Sequence, residues 1–127
     1  MSTGANDILV VDDDALLRGM VAEWLTQAGY SVREAQDGGA ALALLRGAPA
    51  RLLITDMQMP CLSGAQTLAV VCREFPAMRV IAMSGHFDSD RGFSRDTVIE
   101  QGASKVLSKP FSRDDLLTQV RAVIDRK

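Results

Sequence analysis

The chain reads as an α/β protein: a parallel five-stranded sheet with helices on both faces. Three observations predict it. Apolar runs of strand length alternate with amphipathic helical stretches from residue 7 to residue 125. Two runs, Ile8-Leu9-Val10-Val11 and Leu52-Leu53-Ile54, are apolar at every position, as strands buried on both faces must be. Both lead abruptly into acid, the first at Asp12-Asp13-Asp14 and the second, after Thr55, at Asp56. A strand that ends this way delivers its carboxylate to the C-terminal edge of the sheet, where open α/β sheets bind ligands.

The elements follow in order. Residues 7–11 form the first buried strand, and Asp13 or Asp14 caps the helix after it. Leu16, Leu17, Met20, Val21, Trp24, Leu25 and Ala28 recur at helical spacing, and Gly29 ends that helix. Residues 30–35 are the second strand, and the Ala- and Leu-rich stretch 37–46 is a helix closed by Gly47 and Pro49. Residues 51–55 are the third strand, 64–74 a helix stopped by Pro76, and 79–83 the fourth strand. The polar stretch 85–95 is loop-like, 97–101 is weakly helical, and Gly102 ends it. A short fifth strand spans 105–107. A last helix spans 112–125, opened by a capping-box-like Ser112 and Asp115 and faced by Leu116, Leu117, Val120, Val123 and Ile124. Five strands alternating with five helices, joined by right-handed crossovers, predict a flavodoxin-like doubly wound (βα)5 sheet in the order 2-1-3-4-5. That order sets strands 1 and 3 side by side, so Asp12, Asp13 and Asp56 share one rim.

Bulk properties narrow the function classes. A chain of 127 residues is expected to be one domain, 1–127, with its core at about 7–125. The 47% apolar and 24% charged composition is that of a folded globule, which argues against disorder. A net charge of −2 gives no general drive toward nucleic acid or anionic lipid, so neither is an expected partner. No apolar run is long enough to span a bilayer, and no signal peptide is read at the start. Cys61 and Cys72 match no metal pattern, and free thiols in a cytoplasmic setting are the simpler reading.

The acids carry the chemistry. Three acids after a strand could merely favour a helix N-terminus, at about 0.3–1 kcal/mol each, and that is the expectation for Asp14, a solvated cap. Asp12 and Asp13 with Asp56 are different, because carboxylates gathered on one rim repel unless something compensates. A hard cation with oxygen ligands is the economical compensation, and Mg²⁺ held by carboxylates, a carbonyl and waters leaves places for phosphoryl oxygens. The Gln58 backbone carbonyl is placed for one such bond. Lys109, before Pro110, is a compact positive charge suited to a carboxylate or a phosphoryl oxygen. The X-Pro bond there is a candidate for the cis form. Ser84 adds a hydroxyl at the same rim.

Val11-Asp12-Asp13, Asp56 with Met59-Pro60 and Gly64, Ser84-Gly85, and Lys109-Pro110-Phe111 form an ordered constellation. With it, the chain from residue 7 to about 125 resembles the receiver domain of two-component response regulators, the CheY-like family. The resemblance implies that Asp56 is the phosphoacceptor and that a histidine kinase or histidine phosphotransfer protein is the donor. It implies a Mg²⁺ site with Asp13, Asp56 and the Gln58 carbonyl as direct ligands and Asp12 acting mostly through water. Ser84 matches the switch hydroxyl and Lys109 the lysine that pairs with the phosphoryl group. Gln58 and His86 match positions that tune dephosphorylation, although His86 also reads as an ordinary exposed loop residue. The partner face by this analogy is the Ser84–Phe111 side with the last helix. One departure matters: the family usually carries Tyr or Phe at the position of Val106, which cannot swing inward as an aromatic switch does. The signal is therefore expected to be carried by reordering of residues 86–101, read as irregular.

Two other functions fit parts of the pattern. A Mg²⁺-dependent aspartyl-phosphate hydrolase of the haloacid-dehalogenase type needs a D-x-D motif and a substrate cap. Here Asp56 is followed by Met57-Gln58, and 127 residues leave no room for a cap. The domain is thus expected to catalyse only its own phosphorylation and dephosphorylation, and not to be an enzyme on an external substrate. A phosphate-independent interaction module would keep the fold without the switch; the intact acids and Lys109 argue against it, Val106 for it. The output stays open, as does the choice between a stand-alone regulator, a phosphorelay intermediate and a piece of a longer protein.

Overall fold

The computed structural model describes residues 7–57, 64–84 and 102–124. Among them are five strands and four helices: β1 (Asp7–Val11), α1 (Ala15–Gln27), β2 (Ser31–Ala35), α2 (Gly38–Gly47), β3 (Leu52–Asp56), α3 (Gly64–Glu74), β4 (Arg79–Ser84), β5 (Lys105–Ser108) and α4 (Arg113–Ile124). The weak helix expected over 97–101 and the irregular loop expected over 86–101 lie outside the described residues. All strand pairs are parallel, and the order is β2-β1-β3-β4-β5, as the sequence predicts.

Alternation along the buried strands divides the core into two layers. Leu9, Val11, Leu53, Val80 and Ala82 face one way and meet Ala41, Leu42 and Leu45 of α2 with Leu68 and Val71 of α3. Ile8, Val10, Leu52, Ile54, Ile81 and Met83 face the other way, onto Val21 and Leu25 of α1 and Leu116, Leu117 and Val120 of α4. Every residue of β3 is buried. That is why its sequence shows no polar alternation: both faces are covered.

Local signals set the ends. Asp14 is the N-cap of α1, its carboxylate accepting from the backbone N–H groups of Leu16 at 3.0 Å and Leu17 at 3.2 Å. This resolves the choice between Asp13 and Asp14. Gly29 closes the same helix with φ 102°, a left-handed conformation that a side chain would strain. Asp37 is the cap of α2 rather than its first residue. The box at α4 is reciprocal: Asp115 N–H donates to Ser112 Oγ at 3.0 Å and Ser112 N–H to Asp115 Oδ2 at 3.1 Å. Gly102, before β5, has φ 122°, and a Cβ built there would overlap Cys72 Sγ. Three strands differ from expectation at their C-terminal ends: β3, β4 and β5 each run one residue further, to Asp56, Ser84 and Ser108. Ladder pairing extends through these polar residues because the neighbouring strand is already in register.

Candidate functional site

Register alone assembles the site. Val11 pairs with Thr55, so the next residue of each strand, Asp12 and Asp56, emerges side by side at the C-terminal rim. Asp56 pairs with Met83, which places Ser84 one step further along β4. Ser84 in turn pairs with Ser108, and the following N–H, that of Lys109, donates to the Ser84 carbonyl at 2.9 Å. Residues from positions 12, 56, 84 and 109 therefore reach one edge through sheet geometry. The Lys109-Pro110 peptide is cis, the form the sequence suggested for it.

One carboxylate oxygen from each of Asp12, Asp13 and Asp56 lies within 4.8 Å of the others. Two ionised carboxylates at this separation repel by about 3 kcal/mol at an effective dielectric near 20. The Lys109 ammonium relieves part of this. Its Nζ lies 3.1 Å from Asp12 Oδ2 and 3.5 Å from Asp56 Oδ1, with the side chain 24% exposed. Asp12 is fully buried and has both oxygens engaged, since Oδ1 accepts from the Asp14 N–H at 2.9 Å. Asp56 is buried as well. Among the described residues no buried side-chain nitrogen or oxygen lacks a hydrogen-bond partner, as buried charge requires. Asp13 is exposed and its side chain takes part in no described hydrogen bond or ion pair.

With all three acids ionised, three negative charges and one ammonium leave −2 at this rim. The donor set is all oxygen and the residual charge is that of a divalent anion, so the residues fit a hard divalent cation. A phosphoryl group could then approach the buried Asp56 with Lys109 beside it.

The sequence-predicted residues fare as follows. Asp12, Asp13, Asp56 and Lys109 come together. Ser84 is buried on the same rim. Val106 pairs with Ala82 and packs, partly buried, against the α2–α3 side of the core, one layer below the rim. Gln58 and His86 lie outside the described residues, as does Cys61. One residue near the acids was not singled out in the sequence. Arg18 of α1 donates from Nη1 to the Asp12 carbonyl at 2.7 Å and from Nε to Glu34 Oε1 at 3.1 Å. Its partners are 6 and 16 residues away, and no sequence period links them. Beside the rim, Leu17, Met20, Lys109, Pro110 and Phe111 line an apolar cavity of about 360 Å³.

Comparison with known proteins places this arrangement. The family model described as "Response regulator receiver domain" matches residues 8–121. The nitrogen assimilation regulatory protein NtrX of Azorhizobium caulinodans is 36% identical over 115 residues, which is 89% of this chain and 25% of that protein. The transcriptional regulatory protein CpxR of Klebsiella pneumoniae is 35% identical over 123 residues, 95% of this chain and 50% of that protein. The chain thus spans a quarter to a half of the length of these curated relatives. Among solved structures, the receiver domain of NtrX from Brucella abortus superposes with TM-score 0.86 at 31% identity, covering 95% of this chain and all of the other. Vibrio cholerae chemotaxis protein CheY4 superposes with TM-score 0.83 at 28% identity, covering 92% and 97%. A rim of three acids beside a lysine, on this sheet order, is thus found in a chain that belongs to the response regulator receiver domains, the phosphoacceptor switches of two-component signalling.

Proposed function

We propose that Asp56 is the phosphoacceptor of this receiver domain, that the rim holds Mg²⁺, and that the donor is a phosphohistidine on a histidine kinase or phosphotransfer protein. The observation that carries the reading is the placement of Asp56 and Lys109: a buried carboxylate 3.5 Å from an ammonium, at the end of a strand buried on both faces. Bound Mg²⁺ would offset the charge on the phosphoryl oxygens, which is much of what phosphoryl transfer requires. Asp13 and Asp56 would hold it directly. Asp12, with both oxygens already engaged by Lys109 and the Asp14 N–H, suits a role through water. The Gln58 carbonyl is the remaining protein ligand of this proposal.

The residues divide the work. An Asp56 carboxylate oxygen attacks phosphorus, the new O–P bond forms as the N–P bond breaks, and the imidazole leaves with its electron pair and takes up a proton. Lys109 shifts from carboxylate to phosphoryl oxygen, and the Ser84 hydroxyl donates to another. Water later cleaves the acyl phosphate, at a rate that Gln58 and His86 would tune. The chain is then a cytoplasmic receiver domain that catalyses only its own phosphorylation and dephosphorylation. No helix among the described residues is long and apolar enough to cross a membrane.

Incubation with Mg²⁺ and acetyl phosphate, followed by intact-protein mass spectrometry, tests this. One added phosphoryl group in the wild type and none in Asp56→Asn is the expected result. Turnover of an external phosphoester would instead support a hydrolase. No phosphorylation at all would support an interaction module.

A further inference from the structure

We infer that Arg18 is a positioning residue for the cation site: its guanidinium locks the Asp12–Asp13 peptide and so aims the Asp13 carboxylate. The inference rests on the proposed Mg²⁺ site and concerns what holds that site in shape.

Asp13 is the acid whose direction most needs explaining. Its side chain is exposed and makes no described hydrogen bond or ion pair, yet one of its oxygens lies within 4.8 Å of the oxygens of two buried aspartates. Its backbone must therefore fix it. The preceding residue is held at both ends: Asp12 N–H donates to the Ala35 carbonyl at 3.2 Å, and the Asp12 carbonyl accepts from Arg18 Nη1 at 2.7 Å. That carbonyl and the Asp13 N–H belong to one rigid peptide plane. Fixing it fixes the direction in which Asp13 Cα leaves the strand.

Arg18 is itself held. Its own N–H donates to the Asp14 carbonyl at 2.9 Å, which places it in the first turn of α1, the helix that follows the acids. Its side chain is only 18% exposed, low for an arginine, and Nε donates to Glu34 Oε1 at 3.1 Å. Glu34 pairs in register with Val10 of β1, so the guanidinium bridges helix, β2 and the acidic turn. A planar fork with separate donors can serve a carbonyl and a carboxylate at once; a lysine ammonium lacks that fixed geometry. Glu34 also offsets the arginine's charge, so the clamp adds no net positive charge near a cation. This is the outer-shell support that metal sites need beyond their ligands.

Titration of the full chain with MgCl₂, followed through the Asp13 and Asp14 amide resonances by NMR, tests the role. Thermal midpoints in EDTA supply the measure of stability alone. Mg²⁺ affinity is expected to fall by at least about fivefold, and by roughly tenfold in Arg18→Ala. Arg18→Lys, the less disruptive variant, is expected to weaken by at least about fivefold too, although it keeps the charge. A merely structural arginine would lower the midpoint and leave the Mg²⁺ affinity alone. Weakening of less than about fivefold in either variant would overturn the positioning role while leaving the Mg²⁺ site standing. Absence of Mg²⁺ binding in the wild type would remove both.

Discussion

Replacing Lys109 with alanine separates three effects of that lysine, and they do not share one sign. The ammonium lies 3.1 Å from Asp12 Oδ2 and 3.5 Å from Asp56 Oδ1, so it competes for the charge that a cation would use. A Mg²⁺ ion sits about 2 Å from its oxygen ligands. Bound by Asp56 Oδ1, it would lie no further than about 5–6 Å from Nζ. A divalent and a unit positive charge about 5 Å apart repel by about 1.5–2 kcal/mol even at the dielectric of water. Lys109→Ala is therefore expected to bind Mg²⁺ roughly 10- to 30-fold more tightly. Phosphorylation should move the other way, because a donor aimed at the transferring group is lost, and such losses cost about 100-fold or more. Without Mg²⁺ the variant should also lose about 3 kcal/mol of stability, since two buried carboxylates lose their shared counter-charge. Calorimetric Mg²⁺ titration, the initial rate with acetyl phosphate and urea unfolding in EDTA read the three effects. Weaker Mg²⁺ binding or an unchanged phosphorylation rate would refute the reasoning. The contrast with Arg18 is sharp: both changes remove a positive charge, yet one should tighten Mg²⁺ and the other loosen it.

Other perturbations have equally definite outcomes. Asp14→Ala should cost about 1 kcal/mol in urea unfolding through loss of the α1 cap, and Asp14→Asn only a few tenths; equal losses would assign the effect to charge. Gly102→Ala should destabilise by about 1–3 kcal/mol, because φ is 122° and the new Cβ meets Cys72 Sγ. Cys72→Ala in that background should recover part of the loss in a double-mutant cycle, and strict additivity would contradict the overlap. Glu74 accepts two hydrogen bonds from Arg46, at 3.0 and 2.9 Å, and these hold its carboxyl below the usual range. A folded-state value lowered in this way stabilises above the unfolded value and is lost as pH falls through the folded one. NMR titration should find the Glu74 midpoint returning upward in Arg46→Ala; an unmoved midpoint would sink the pairing. Leu16, 88% exposed, and Met20 lie on α1, and Met20 lines the cavity shared with Phe111. Leu16→Asp with Met20→Asp should slow transfer from a phosphorylated kinase by about tenfold, if this patch anchors the partner. Transfer from acetyl phosphate should not change. Equal slowing with both donors would place the effect in the site.

The sheet was legible because its strands are short and punctuated by acid, glycine or proline, and two of them carry runs that are apolar at every position. β1 and β3 could be nothing but doubly covered strands, and their terminal aspartates implied the rim. Caps were legible where one residue type does one job, as with Asp14, Ser112 and Gly29. The last step of β3, β4 and β5 was not, because Asp56, Ser84 and Ser108 look like loop residues until a registered neighbour supplies their backbone partners. The Lys109 pairing was foreseeable in kind, since a lone ammonium among three acids has few other uses. Its geometry depends on a contact across 97 residues. Arg18 was hidden for a different reason. On a helix wheel it reads as a solvated charge, and only the packing of α1 over β2 turns it inward to a carbonyl, a group that leaves no trace in side-chain patterns.

Reductive trapping tests the central claim most directly. After incubation with Mg²⁺ and acetyl phosphate, borohydride converts an aspartyl phosphate to homoserine, and peptide mass spectrometry locates it. Homoserine at position 56 alone is the predicted result. Homoserine at position 12 or 13 instead, or none in a protein shown to bind Mg²⁺, would contradict the assignment of Asp56 as the acceptor.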